Sequence, residues 1–331
     1  MSTVPANRPI AIFYEHPEWF KPLFAELDRR GTPYVKLHAD EHVFDPAEQP
    51  AYSLVFNRMS PSAYLRGRAN AIFYTQAFLA HLERRGIRVV NGTEAFGNEI
   101  SKAAQLSLIE SLGLPYPRAR VIHRAEQAPA AAEGLRWPVA VKPNIGGSGA
   151  GVRKFETPEA LRQAAETDLD LGIDSTALVQ EFIPQEESRI TRVEVVGGKY
   201  IYGIRIYTPG TSFDLCPADV CQRVDGAELD AQICAVDAPK RGLRVEGYEP
   251  PRPVIDAVER IMAAAGIEVG GIEYMIDSRD GQLYYYDVNA LSNFVADAPN
   301  VVGFDPFVVL ADYLEREAAA AVAAGAEREA A

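Results

Sequence analysis

Four glycines, Gly146, Gly147, Gly149 and Gly151, fall within six residues just after an apolar strand pattern that ends in Lys142. Lacking Cβ atoms, such residues let backbone N–H groups approach phosphate oxygens, and a lysine at the root of the loop is a point charge that neutralises them. The loop is not a Walker A motif, because no Lys-Ser or Lys-Thr follows it. Nor is it a Rossmann fingerprint, because its glycines are misspaced and lead into a strand. A plain β-turn beside an edge lysine is the alternative. Lys102 stands in the first turn of a helix pattern over 101–112. A cation there opposes the helix dipole unless an anion lies nearby, so Lys102 is either a phosphate ligand or a solvated surface residue.

A second constellation lies in a hairpin over 271–289, turning at Ser278-Arg279-Asp280-Gly281. Strand side chains alternate, so Asp287 and Asn289 share one face, and a loop with an odd number of residues brings Glu273 onto it. Three oxygen ligands, two of them anionic, suit Mg²⁺, which binds few carboxylates and completes its shell with substrate phosphates and water. The alternative is a solvent-facing polar surface. Tyr284, Tyr285 and Tyr286, with Ile272 and Ile276, are expected on the buried opposite side.

These residues need a frame. Short apolar runs at 10–14, 34–37, 53–56 and 87–90 alternate with helical patterns at 19–30 and 69–85, the order of a parallel sheet covered by helices, in a unit ending near Asn98. After the 101–112 helix, strands at 119–122, 137–142, 152–155 and 177–183 and helices at 125–133 and 158–166 form an α+β unit. Strands at 192–196 and 200–207 meet at Gly197-Gly198, and helices are expected at 254–265 and 306–317. The domains therefore read as 1–98, then 99–320 with lobes at about 118–190 and 191–320, then an Ala/Glu-rich tail at 321–331. Residues 208–250, weakly periodic and rich in Pro, Gly and Asp, read as a long loop or lid. The loop over 145–151 carries no large side chain besides Ile145 and is expected to be weakly packed.

The chain has 331 residues, 47% of them apolar, and no run long enough for a membrane span. A net charge of -13 argues against nonspecific nucleic-acid binding. Cys216, Cys221 and Cys234 are an odd, clustered set without a disulfide pattern, which suits a reducing cytoplasm. A zinc site or a nucleophilic thiol lacks matching partners.

Lys102, Lys142, the glycine loop, Val179-Gln180-Glu181-Phe182-Ile183, an arginine strand, then Glu273 and Asp287-Val288-Asn289 come in an order that resembles the ATP-grasp superfamily. The spacing is most similar to the branch of ribosomal-protein glutamate ligases and glutathione synthetases. The resemblance implies a leading parallel α/β domain, then an ATP-grasp domain of two α+β lobes with ATP between them. It implies that Lys102 and Lys142 hold the phosphates and that the loop with Gly146, Gly147, Ser148 and Gly149 closes over them. It makes Gln180, Glu181, Phe182 and Ile183 the hinge at the adenine edge, with Glu181 taking the amino group and Glu187 the ribose. Arg205 would steady the transferring phosphoryl group with Lys142, and Glu273, Asp287 and Asn289 would hold Mg²⁺, for which Mn²⁺ can substitute. One departure is Ile190, which stands where that branch often has an Asp.

The implied reaction joins a small-molecule carboxylate, such as an amino acid or peptide, to an amine through an acyl phosphate, releasing ADP and phosphate. Two other readings stay open: a nucleotide-binding regulatory module without catalysis, and an ATP-grasp kinase or carboxylase. Arg58 follows a strand of the leading domain, and Ser292 and Asn293 follow Asn289; all three are candidate substrate contacts. Homo-oligomerisation is left open.

Overall fold

The computed structural model describes residues 8–16, 18–147, 149–207 and 244–330. The leading domain comprises β1 (Ile10–Tyr14), α1 (Lys21–Arg30), β2 (Tyr34–His38), β3 (Leu54–Arg58), α2 (Ala69–Arg84), β4 (Arg88–Val90) and α3 (Thr93–Glu99). Its strands run parallel in the order β2-β1-β3-β4. Alternation along β1 and β3 sends Ile10, Ile12, Leu54 and Phe56 toward Leu23 and Leu27 of α1, and Ala11, Phe13 and Val55 toward Ile72, Phe78 and Leu79 of α2. Helix α1 stops where Gly31 turns left-handed, at φ 69°, and returns its N–H to the last turn.

The central lobe follows: α4 (Lys102–Ser111), β5 (Ala119–Ile122), α5 (Ala128–Ala131), β6 (Val139–Pro143), β7 (Arg153–Phe155), α6 (Pro158–Thr167) and β8 (Ala177–Glu181). Its antiparallel sheet has the order β5-β8-β6-β7. Val139, Val141 and Val179 pack against α5 and α6, leaving the other face of the sheet toward α4 and the C-terminal lobe, where Leu178 joins the cluster of Ile109 and Ile272. The C-terminal lobe holds β9 (Arg189–Val196), β10 (Lys199–Tyr207), β11 (Arg244–Tyr248), α7 (Arg252–Ala264), β12 (Val269–Ile276), β13 (Leu283–Asn289), α8 (Ala298–Val302) and α9 (Pro306–Ala330). Its antiparallel sheet runs β11-β10-β9-β12-β13, with α7 packed on one face. The architecture is the expected parallel α/β domain followed by two α+β lobes. Among the described residues no helix is long and apolar enough to cross a membrane.

One expectation is corrected. Most of the loop expected at 208–250, with all three cysteines, lies outside the described residues, but its end is a strand: β11 pairs with β10 from Gly203↔Tyr248 to Tyr207↔Arg244. Five residues are too few for period-2 alternation to stand out. The Ala/Glu-rich tail is helical, continuing α9 to Ala330, in keeping with the high helix propensity of Ala and Glu.

Helix α9 leaves its own lobe to pack on the leading domain. Leu310, Ala311 and Leu314 join the cluster of Ile10, Leu27 and Phe56, and Arg30 pairs with Asp312 at 2.5 Å and Glu315 at 3.0 Å. Fully buried Asn91, at the end of β4, donates to the carbonyls of Val269 and Ala290 and accepts from the N–H groups of Glu268 and Val269. Arg58 is 2% exposed, with its guanidinium carbon 5.1 Å from the Phe20 ring and 5.0 Å from the Phe56 ring. It donates to the Ser292 carbonyl and to Asn293 Oδ1, and so ties the leading domain to the loop after β13. This corrects the expectation of a substrate-facing arginine: its guanidinium lies against two rings and its terminal nitrogens bond the 290–293 loop. Arg58→Ala is expected to destabilise the fold by about 2–4 kcal/mol, since it strands buried acceptors and empties an aromatic cage. Denaturant unfolding measures this.

Candidate active site

Helix α4 starts where Ser101 caps it, accepting from the Ala104 N–H. Asn144, at the root of the glycine loop, completes the cap. Its carbonyl accepts from the Lys102 N–H, and its Oδ1 accepts from the Ala103 N–H at 3.0 Å and from Ser101 Oγ at 3.1 Å. The loop and the first turn of α4 are thus one unit. Farther along α4, Gln105 donates to the Val288 carbonyl at 2.9 Å and accepts from the Val288 N–H at 3.1 Å, which fixes α4 against β13. Lys102 then meets Asp287, Nζ to Oδ1 at 2.7 Å. The anion that a first-turn lysine requires is this carboxylate.

Glu273 stands opposite Asp287 in the β12–β13 ladder, and Gly271 opposite Asn289. The expected shared face is present, with one correction. The register slips between Glu273 and Tyr274, leaving Tyr286 as the extra residue of a β-bulge. Tyr286 therefore turns to the acidic side, where its hydroxyl donates to Glu273 Oε2 at 2.6 Å, while Tyr285 stays buried with Tyr274 and Ile272. Glu273 Oε1 accepts from Nη1 of Arg192 at 3.0 Å, and Arg192 Nε donates to Glu194 at 2.5 Å. Asn289 Nδ2 donates to Asp287 Oδ2 at 3.3 Å. Burial pushes the Glu273 carboxyl up despite Arg192. Burial also pushes Asp287 up, but Lys102, Lys142 and Asn289 outweigh it and hold the carboxyl below its usual range. Burial raises Glu99, which accepts from the Ala290 N–H just past Asn289, to about 7.

Lys142 enters from the central lobe. Paired strand residues share a face, so Lys142, Ala140, Leu178 and Gln180 line the cleft side of β6 and β8. Lys142 is 8% exposed and its Nζ lies 5.6 Å from the Tyr286 ring centroid. Burial, followed by the charge of Lys102, lowers it to about 8. Glu181 pairs with Val139, on the other face, and accepts from the Arg136 N–H at 2.9 Å. That corrects its expected place at the adenine amino group. Its neighbour Phe182 takes the cleft side, with Lys154 Nζ 4.4 Å from its ring centroid, and Ile183 is buried. Glu187, expected at the ribose, is exposed at a left-handed turn, φ 52°, and pairs with Arg189.

The glycine loop is better anchored than expected. Ile145 is buried in the core of the leading domain, and a Cβ on Gly147 would lie 3.2 Å from the Ser62 Cβ. Gly146 and Gly149 flank it, and Ser148 lies outside the described residues. Ser292 and Asn293 are buried beside the site in the loop held by Arg58.

Arg205 is a further correction. It pairs with Thr191, which pairs with Tyr274, whereas Arg192 pairs with Glu273, one residue along and hence on the opposite face. Arg205 lies 3.6 Å from the Tyr248 ring centroid, away from the acids. The arginine beside Glu273 is Arg192, a position that alternation along β9 could have revealed once the register was known. Gln105 and Asn144 left no such signal, because their roles are contacts with distant backbone. Among the described residues no three His, Cys, Asp or Glu side chains gather as a metal cage. Two carboxylates and an amide fit a cation that phosphates and water would complete.

Residues 100–213 match the model of the RimK-like ATP-grasp domain. The chain is 32% identical over 178 residues to a D-alanine--D-alanine ligase of Geobacter sulfurreducens, covering 50% of this chain and 54% of that protein. It thus spans about half the length of that relative. A probable alpha-L-glutamate ligase of Serratia proteamaculans is 26% identical over 291 residues, covering 76% of this chain and 94% of the other. The solved structure of the ATP-grasp ligase PsnB with a minimal precursor superposes with a TM-score of 0.65 at 19% identity, covering 94% of this chain and 99% of that one. Order of motifs, convergence of charges and shared architecture agree: the chain has the fold of the ATP-grasp ligases, and its residues 100–213 are similar to the RimK-like ATP-grasp domain.

Proposed function

We propose that the chain is an ATP-dependent carboxylate–amine ligase that forms an amide or peptide bond through an acyl phosphate and releases ADP and phosphate. One observation carries this reading: Lys102 and Lys142, from two separate elements, converge with Glu273 of β12 and with Asp287 and Asn289 of β13, with Arg192 behind Glu273. The relatives that carry ligase names, and the PsnB structure with its precursor, support an amino acid or peptide as substrate.

In this reading the two lysines and the loop at Gly146, Gly147, Ser148 and Gly149 take the phosphates. Gln180, Phe182 and Ile183 border the base, and Glu187 is the candidate for the ribose. Glu273, Asp287 and Asn289 hold Mg²⁺, or Mn²⁺ in its place, which supplies charge neutralisation at the phosphate oxygens. The substrate carboxylate attacks the γ-phosphorus, and the amine then attacks the acyl carbon and expels phosphate. Lys142 and Arg192 offset the negative charge that develops, so catalysis is positioning plus electrostatics. Arg192 takes the role first expected of Arg205. The glycine loop keeps water from the acyl phosphate. Ser292 and Asn293 serve by shaping the loop beside Asn289.

Asp287→Asn or Asn289→Ala is expected to abolish turnover while the melting temperature stays close to that of the parent. Turnover near the parent rate at ordinary Mg²⁺ would refute the metal assignment. Product chromatography is expected to show ADP and phosphate; AMP and pyrophosphate would overturn the acyl-phosphate route.

The lowered Lys142 gives a pH signature. Its folded value, about 8, lies below the ordinary lysine value, so the free site holds less than its full proton between about 8 and that value. Phosphates favour the charged form, so ATP binding is expected to take up a proton above pH 8 and to tighten as pH falls toward 8. Titration calorimetry in buffers of different ionisation enthalpy measures the uptake, and Lys142→Met is expected to remove it. The stability sign follows from the same shift. The unfolded lysine binds more protons through this window, so the contribution of Lys142 to stability improves as pH rises across it.

A further inference from the structure

Behind the acids lies a group that the reaction outlined above does not use. Glu194 is fully buried, two residues after Arg192 on the same face of β9, and accepts from Arg192 Nε at 2.5 Å. Arg192 is 2% exposed, and its Nη1 reaches Glu273 at 3.0 Å. Two carboxylates therefore grip one guanidinium from two sides. A buried arrangement of this kind is seldom the most stable filling for its volume: apolar side chains of the same size do as well or better, because each ion must be desolvated. Stability alone does not explain it.

Gly271 points the same way. It pairs with Glu194 across the sheet, and its φ is not left-handed, so its backbone would accept other residues. What requires glycine is space. A Cβ there would lie 2.8 Å from Glu194 Oε2 and 2.9 Å from Arg192 Nη2, inside any normal contact. The missing side chain makes the slot that the guanidinium and carboxylate fill. Gly271 stands two residues before Glu273 and opposite Asn289, so the slot opens between the two ends of the proposed metal set.

We propose that Glu194, with the slot at Gly271, is a positioning residue that sets the plane and reach of the Arg192 guanidinium toward Glu273 and the transferring phosphoryl group. This rests on the ligase reading. Glu194 touches neither nucleotide nor substrate; it acts through Arg192. A guanidinium held at Nε and at Nη1 has its orientation fixed before the phosphate arrives, which lowers the reorganisation needed at the transition state.

The test uses the 331-residue chain with ATP, Mg²⁺ and the carboxylate and amine that support turnover. Glu194→Gln keeps the size of the side chain and an acceptor oxygen; Gly271→Ala keeps both charges and closes the slot. Each is expected to lower kcat by about 10- to 100-fold with KM for ATP changed less than about threefold. The loss from Glu194→Gln is expected to vanish when it is added to Arg192→Lys. The Arg192 Nε–H resonance in nitrogen-15 spectra, displaced downfield by the carboxylate, is expected to move upfield in Glu194→Gln. Parent-like kcat in both variants, a Glu194→Gln loss undiminished in the Arg192→Lys background, or an unmoved resonance would overturn the proposal. A parent protein that turns over no carboxylate–amine pair would count against the ligase reading, while the resonance would still report whether Glu194 holds Arg192.

Discussion

Two carboxylates, Asp287 and Glu273, stand side by side in a place with little water, and like charges there raise each other's proton affinity. They remain useful only if cations reach them, and each cation comes from elsewhere: Lys102 from α4, Lys142 from β6, Arg192 from β9. Much of the surrounding structure serves that meeting. Gln105 joins α4 to β13 through the backbone of Val288, and Asn144 joins α4 to the glycine loop. The bulge at Tyr286 adds a hydroxyl to Glu273, and Gly271 leaves room for the guanidinium. Away from these charges the lobes are also joined by Arg136, which pairs with Asp277 at 2.9 Å and Asp280 at 3.1 Å.

Most of this was legible where a single periodicity decides. Strand alternation brought Glu273 onto the face of Asp287 and Asn289, and the helical spacing of Leu23 and Leu27 marked α1. The same rule, applied across strands, separates Lys142 and Gln180 from Glu181, but it needs the β6–β8 register, which no single strand contains. The role expected of Arg205 came from the resemblance, and register decides against it: its strand carries a slip between Tyr200 and Tyr202, so Arg205 pairs with Thr191 and turns away from the acids. Bulges hide in sequences because the extra residue looks like any other.

Burial was harder to read than position. Arg58 has the composition and the strand-end place of a ligand contact, yet two aromatic rings and the 290–293 loop take it up. Glu194 looks like an ordinary polar residue in a valine-rich strand, and only its depth beside Arg192 shows otherwise. Ile145, the one large residue of the glycine loop, was visible, but its seat in the leading domain was not. For Arg58 and Ile145 the deciding contacts, with the 290–293 loop and with the leading domain, lie far along the chain.

The docking of α9 on the leading domain has a mechanical side. With Asn91 and Arg58 clamped to the C-terminal lobe and α9 laid across α1, the first and last parts of the chain make a single chassis. The sheet of the central lobe joins that chassis through the chain from α4 into β5 and from β8 into β9, through the Asn144 cap on α4 and through Ile145 in the core of the leading domain. Lys142 and Gln180 ride on that sheet, whereas Asp287, Arg192 and Glu194 are bolted to the chassis. Rotation of the sheet would have to break the Asn144 cap and the pairs of Arg136 with Asp277 and Asp280, so those ties set the distance from Lys142 to Asp287.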